Sequence, residues 1–239
     1  MSVSIDKANI DNLTSLWRLM GATQITDGLQ QSIGWPRRCW LDWDNRNDSV
    51  QFSLVDRVPE GYLCPIWAAG VETAELEEGL LAAGFEMGLQ QRAMVLPLLG
   101  AERIANTGRL QLSTPGNADE AAAWSELCGR AFGYQIDAEI IDRVRQQPDV
   151  EVLWGVRDGV PVATAIVYHT GSILGVHQVG VSPEQQGRGV ARELMQMLVA
   201  RAQARKARYL CLQASAAGEP LYLRMGFQPQ FTIRSYRRA

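Results

Sequence analysis

The segment from Leu174 to about Lys206 constrains this chain more than any other, because within it a strand pattern gives way to a helix pattern through a turn rich in glycine. Leu174–Val181 is an apolar run with strand character. It is followed by Val181-Ser182-Pro183, then Gln186-Gly187-Arg188-Gly189-Val190-Ala191-Arg192. Beyond that, Val190, Leu194, Met197, Leu198 and Arg201 fall on one face of a helix that runs to about Lys206. The first N–H groups of a helix have no partner within it and meet the positive end of its dipole, so this turn offers a seat for a pyrophosphate. Gly187 and Gly189 allow the main chain to approach such a ligand, Ala191 is the next smallest choice, and Arg188 and Arg192 add positive charge.

Upstream, the pattern predicts helices over Ala118–Phe132 and Asp137–Gln146 and a strand over Val150–Arg157. Asp158-Gly159 between two apolar runs is a hairpin signal, so Val160–His169 should return antiparallel. Downstream, Tyr209–Ala214 reads as a short buried strand, Glu219–Met225 as a short helix and Gln228–Tyr236 as a last strand. The order describes an α+β domain on a mixed sheet. A dinucleotide-binding fold is excluded by that order, since Gly187 and Gly189 come after a hairpin and not after a first strand.

This arrangement resembles the GNAT superfamily of acyl-CoA N-acyltransferases: a strand, Val-x-Pro, Gln-x-x-Gly-x-Ala at Gln186, Gly189 and Ala191, an amphipathic helix, a buried strand and Leu-Tyr-x-x-x-Gly-Phe. It covers about 130 residues. The resemblance implies a splayed sheet with the pantetheine arm of acetyl-CoA between two parallel strands, Leu174–Val181 and Tyr209–Ala214, held by main-chain groups of Val179 and Val181. The pyrophosphate would lie on Gln186, Gly187, Arg188, Gly189, Val190, Ala191 and Arg192. Ser215 stands where the family often has Asn, and its hydroxyl can still bond the cosubstrate.

Acyl transfer from a thioester requires a neutral amine, and alkyl ammonium groups lose their proton near pH 10, so a base is useful. The resemblance assigns Tyr222 the part of general acid toward the departing thiolate. His177 lies four residues before Val181, on the same face under two-residue alternation, and a histidine serves at the comparable place in the related arylalkylamine acetyltransferases. Many relatives use a glutamate two residues earlier, where this chain has Gly175. Glu219 or a chain of water molecules are the alternatives for the base.

Residues 1–105 carry no such turn, and they hold five of the seven tryptophans. They repeat one feature: Leu80-Leu81-Ala82-Ala83-Gly84-Phe85 leads into the strand-like Gln90–Leu98, as Leu221–Phe227 leads into Gln228–Tyr236. The expectation is a degenerate GNAT-like half, residues 1–105, before a catalytic half, residues 106–239, with a join around Leu99–Thr107. The tryptophans are expected to pack, with Trp35–Trp43 as a second possibility for an acceptor wall.

The net charge of −3 gives no general attraction to nucleic acid or anionic lipid. Residues 1–100 hold 7 basic against 13 acidic side chains and the remainder 16 against 13, so an anionic ligand favours the second half. Cys39, Cys64, Cys128 and Cys211 are widely spaced and only two histidines are present, so no metal is expected. No leader and no apolar run of spanning length occurs, which points to a cytoplasmic protein, monomer or homodimer. The function implied is acetylation of an amine on a small molecule, peptide or protein. The alternative is a non-catalytic acyl-CoA-binding module.

Overall fold

The computed structural model describes residues 4–26, 28–44, 54–69, 73–99 and 108–238. Residues 100–107, which contain most of the expected join and its 105/106 boundary, lie outside them. The chain forms two compact units, one of Val95–Leu212 and one of Met1–Met94 with Gln213–Ala239. Packing therefore divides the chain differently from the motifs: the last 27 residues belong with the first half.

The unit of Val95–Leu212 is built around the expected hairpin. Asp158 and Gly159 both take left-handed conformations, φ 52° and 79°, which suits the twist of a two-residue turn. They join β7 (Val150–Arg157) to β8 (Val160–Thr170), paired from Arg157↔Val160 to Val150↔Tyr168. A short strand, β6 (Gln111–Ser113), pairs with β7 on its other edge. On the far side β9 (Ile173–Val181) pairs antiparallel with β8. The start of β10 (Tyr209–Ser215) pairs parallel with β9 at Tyr209↔Ile173, Leu210↔Leu174 and Cys211↔Gly175. The mixed sheet expected from the element order is present.

Two helices lie between β6 and β7 in the chain, α3 (Ala118–Phe132) and α4 (Ala138–Val144). The Asn117 side chain accepts the Glu120 N–H at 2.9 Å, and the Glu120 carboxylate accepts the Gly116 N–H at 2.7 Å, so the amino end of α3 is capped from both directions. Ala121, Trp124 and Cys128 are its buried stripe. The helix after the glycine turn, α5 (Val190–Ala204), buries Val190, Leu194, Met195, Leu198, Val199 and Ala202. The expected stripe is thereby corrected. Met197 is half-buried, and Arg201, also half-buried, is held in an ion pair with Glu151 of β7, because the buried face centres on the row Val190, Leu194, Leu198 and Ala202.

In the other unit α1 (Ile5–Leu19) precedes a three-stranded sheet of β1 (Ala22–Thr26), β2 (Leu29–Ser32) and β3 (Cys39–Leu41). Next come β4 (Cys64–Ala68), α2 (Ala74–Ala82) and β5 (Phe85–Pro97), whose residues to Met94 lie in this unit. From the C-terminus come α6 (Glu219–Arg224) and β11 (Gln228–Arg238). The strand order β4-β11-β5 places β11 between two strands of the first half, with Thr232↔Ala68 to Tyr236↔Cys64 in antiparallel register. This insertion is why the C-terminal residues pack with the first half.

Buried Asn9 ties these pieces together: its amide donates to Met94 O at 3.3 Å and Gln230 Oε1 at 2.6 Å, and its oxygen accepts from Gln213 at 2.7 Å. The tryptophans pack as expected. Trp17 meets Trp40 edge-on at 5.0 Å between ring centres, and Trp67 lies 6.3 Å from Trp17. Trp40 is wholly buried in the core, and the half-buried Trp43 packs on Phe231. Among the described residues no helix is long and apolar enough to cross a membrane, and no three His, Cys, Asp or Glu side chains gather as a metal site.

Candidate functional site

At the head of α5, Pro183–Gln185 forms a single turn of 3-10 helix, and Gly187 and Gly189 follow with φ 73° and 77°. Both conformations favour glycine, and a Cβ built on either residue would meet nothing within 4 Å. The space above the turn is therefore open. Gly189 is the cap residue of α5 and no side chain caps the helix; the first helical bond runs from Glu193 N–H to Gly189 O at 3.1 Å. The N–H groups of Val190, Ala191 and Arg192 lie before that bond, in the geometry that receives an anion. Arg188 and Arg192 are exposed beside it. The chemistry of this cradle fits a pyrophosphate: unclaimed N–H donors, a dipole's positive pole and two cations.

The neighbouring edge of β9 is equally specific. Ser182 N–H donates to Val162 O of β8 at 2.9 Å, so alternation turns the main chain of Val181, and of Val179 before it, to the opposite edge. Gln186 Nε2 donates to Val181 O on that edge at 3.2 Å. The parallel register with β10 ends at Gly175. The structure thus brings Gln186, Val181 and Val179 to one stretch of strand edge next to the turn.

His177 is separated from that group by a feature the sequence did not reveal. Two steps along β8, from Thr164 to Ile166, span three along β9, from Gly180 to His177. The extra residue is a bulge at Gln178, whose φ is 51°. The expectation that His177 and Val181 share a face is corrected accordingly. Gly180 faces α3, since a Cβ there would come within 2.9 Å of Ala131 Cβ and Thr164 Oγ1. His177, opposite Ile166, lies on Thr164's side and hence on the face of α3. Val181, opposite Ala163, lies on the other face. His177 is buried.

Near the bulge, Tyr134 O–H donates to Gln178 Oε1 at 3.1 Å and Thr164 O–H donates to Gln178 O at 3.1 Å. The Cys128 thiol lies 3.6 Å from Gln178 Oε1, and burial pushes it up to about 12. A hollow of about 510 Å³ opens between α3 and the start of α4, lined in part by Ser125, Glu126, Arg130, Tyr134 and Gln135.

The remaining candidates belong to the other unit. Ser215 O accepts Gly218 N–H at 3.0 Å and Ser215 Oγ stands 3.2 Å from the same nitrogen, shaping the turn into α6. Tyr222 is the buried residue of α6 and meets Phe227 edge-on at 5.6 Å. Burial pushes its phenol up to about 12. Glu219 is engaged with Arg92, Oε1 to Nε 3.5 Å.

Residues 149–229 match the model of the acetyltransferase (GNAT) domain. Among solved structures, a GCN5-related N-acetyltransferase from Kribbella flavida superposes with a TM-score of 0.66 at 17% identity, over 98% of this chain and 96% of that one. A GCN5-related N-acetyltransferase from Sphaerobacter thermophilus superposes with a TM-score of 0.61 at 19% identity, over 87% of this chain and 76% of that one. At such identities the likeness is one of fold. No curated protein matches the chain. The chain therefore carries a GNAT acetyltransferase domain in its C-terminal half, within a GNAT-like fold that extends over nearly its whole length.

Proposed function

We propose that the protein transfers the acetyl group of acetyl-CoA to a primary amine of a small molecule, peptide or protein, by direct attack of the amine on the thioester. The observation that carries this reading is the uncapped head of α5, with Gly187 and Gly189 leaving open space above it, next to the edge of β9 at Val179 and Val181, beyond the register with β10 that ends at Gly175. Gln186–Arg192 would hold the pyrophosphate and the β9 edge the pantetheine amides, with Ser215 as a further polar contact.

As the C–N bond forms and the C–S bond breaks, the amine must shed a proton and the sulfur gains charge. His177 is the proposed base. Tyr222, protonated until about pH 12, is a donor at any physiological pH. Handing its proton fully to a thiolate of ordinary pKa, about 8.5, would be uphill by about 5 kcal/mol. Its part is therefore a hydrogen bond to the developing sulfur charge.

The test has two arms. Calorimetry should find one acetyl-CoA per chain, and Gly189→Glu, which adds a side chain and a like charge, should weaken binding at least about 100-fold, roughly 2.7 kcal/mol. Equal binding by the folded variant would remove the site assignment. Thiol release from acetyl-CoA should then be followed across polyamines, aryl amines, amino acids, aminoglycosides and peptide amino termini. A protein that binds acetyl-CoA and releases no thiol with any of them is an acyl-CoA-binding module.

A further inference from the structure

Gln178 holds a conformation that an L residue with a full side chain adopts at a cost, since its Cβ crowds the following carbonyl at φ 51°. Such strain persists where surrounding groups fix it. The contacts around Gln178 come from three elements, one of them α3, whose Cys128 thiol lies 3.6 Å from the side-chain oxygen. Thr164, on β8, binds its carbonyl oxygen, and Tyr134, on the connection from α3 to α4, binds its side-chain oxygen, each at 3.1 Å. Tyr134 is 45% exposed and its ring stacks on the also exposed Phe132, with centroids 5.6 Å apart. The bulge in turn sets how the faces of β9 before and after it relate, with His177 on one and Val181 on the other.

We infer that Tyr134 is a positioning residue for acetyl-CoA: through its hydrogen bond to Gln178 it keeps the β9 bulge, and with it the edge at Val179 and Val181, in the arrangement that receives the donor. This rests on the proposed function. Thr164 acts at the same point through the main chain, but its hydroxyl also lies against the Gly180 position, so Tyr134 gives the cleaner test. Tyr134 reaches this point from outside the strand. Its influence is expected to depend on residue 178 having a side chain that needs holding.

The experiment is a double-mutant cycle on the full chain between Tyr134→Phe and Gln178→Gly, read as the acetyl-CoA dissociation constant by calorimetry and, separately, as the thermal midpoint. Tyr134→Phe keeps the ring and its stack on Phe132 and removes only the hydroxyl. With Gln178 present it should weaken acetyl-CoA binding roughly three- to tenfold, the worth of one hydrogen bond. With glycine at 178, which takes a positive φ without strain and has no side chain to bind, the same change should alter the dissociation constant less than about 1.5-fold, which is within additivity error. Equal weakening in both backgrounds, or none with Gln178 present, overturns the inference. A lowered midpoint with unchanged affinity does so too, because a purely structural tyrosine would give that result. Failure of the parent protein to bind acetyl-CoA overturns the proposed function itself and is seen before any variant is made.

Discussion

Two endings in this molecule share one plan: α2 leads through Gly84-Phe85 into β5, and α6 leads through Gly226-Phe227 into β11. Both glycines are left-handed, φ 83° and 88°, and each donates to the third residue before it, Leu81 O at 3.1 Å and Leu223 O at 3.0 Å. Both phenylalanines are buried. Aligned on the glycines, Leu80 occupies the place of Tyr222, and each is the buried residue of its helix. The same local physics, a short helix stopped by glycine and anchored by one inward side chain, thus carries an inert residue in one copy and a phenol in the other. What distinguishes the copies is a phenol in place of an aliphatic side chain and the glycine turn ahead of α5, for which residues 1–98 contain no counterpart.

The largest effect should come from separating the copies. Because β11 lies between β4 and β5, a fragment of residues 108–239 loses both strand partners of β11 and exposes Phe231, Ile233 and Tyr236, which are buried in the whole chain. It is expected to be insoluble or unfolded by circular dichroism. A stable, active fragment would show that β11 can complete the second half without the first.

Next in size is the phenol itself. Tyr222→Phe should lower kcat by about 10²–10⁴-fold with little change in the KM for acetyl-CoA, whereas Leu80→Ala, at the matching place, should cost about 2–5 kcal/mol of stability and leave the catalytic chemistry of the folded fraction intact. An unchanged rate in the phenylalanine variant, with chemistry limiting, would make the two positions equivalent. A smaller consequence follows at high pH. The Tyr222 phenol is raised from 10 to about 12 in the folded protein, so its neutral form contributes stability fully present below pH 10 and lost between about 10 and 12, in all about 2–3 kcal/mol. Tyr222→Phe should therefore soften the alkaline fall in unfolding free energy, measured by denaturant titration at pH 9 and pH 11.

The smallest expected change concerns the base. His177→Gln should flatten the acidic limb of the kcat/KM profile while preserving acetyl-CoA affinity. A limb that persists would redirect attention to Glu219, although the Arg92 guanidinium already engages that carboxylate.

Much of the second half could be read from local chemistry. The Asp158-Gly159 turn, the strands on either side of it and the glycine turn before α5 each depend on residues within a few positions of one another. Turn preferences act at that range, so they are written in the sequence. The echo between Leu80–Phe85 and Leu221–Phe227 was legible for the same reason. By contrast, the α5 stripe was only partly legible, because Met195 and Met197 satisfy a helical pattern equally well until the sheet chooses between them.

The sequence by itself determined the element order of the second half, the hairpin, the anion-binding turn and the residue types available for proton transfer. Tertiary structure decided that β11 inserts between β4 and β5 and that His177 and Val181 part to opposite faces of β9. Both decisions rest on pairing between residues distant in the chain. Strand alternation predicts a face only while the register is unbroken, and nothing local to Gln178 announces a left-handed residue: its conformation accompanies hydrogen bonds from Thr164 and Tyr134, which lie 14 and 44 positions away.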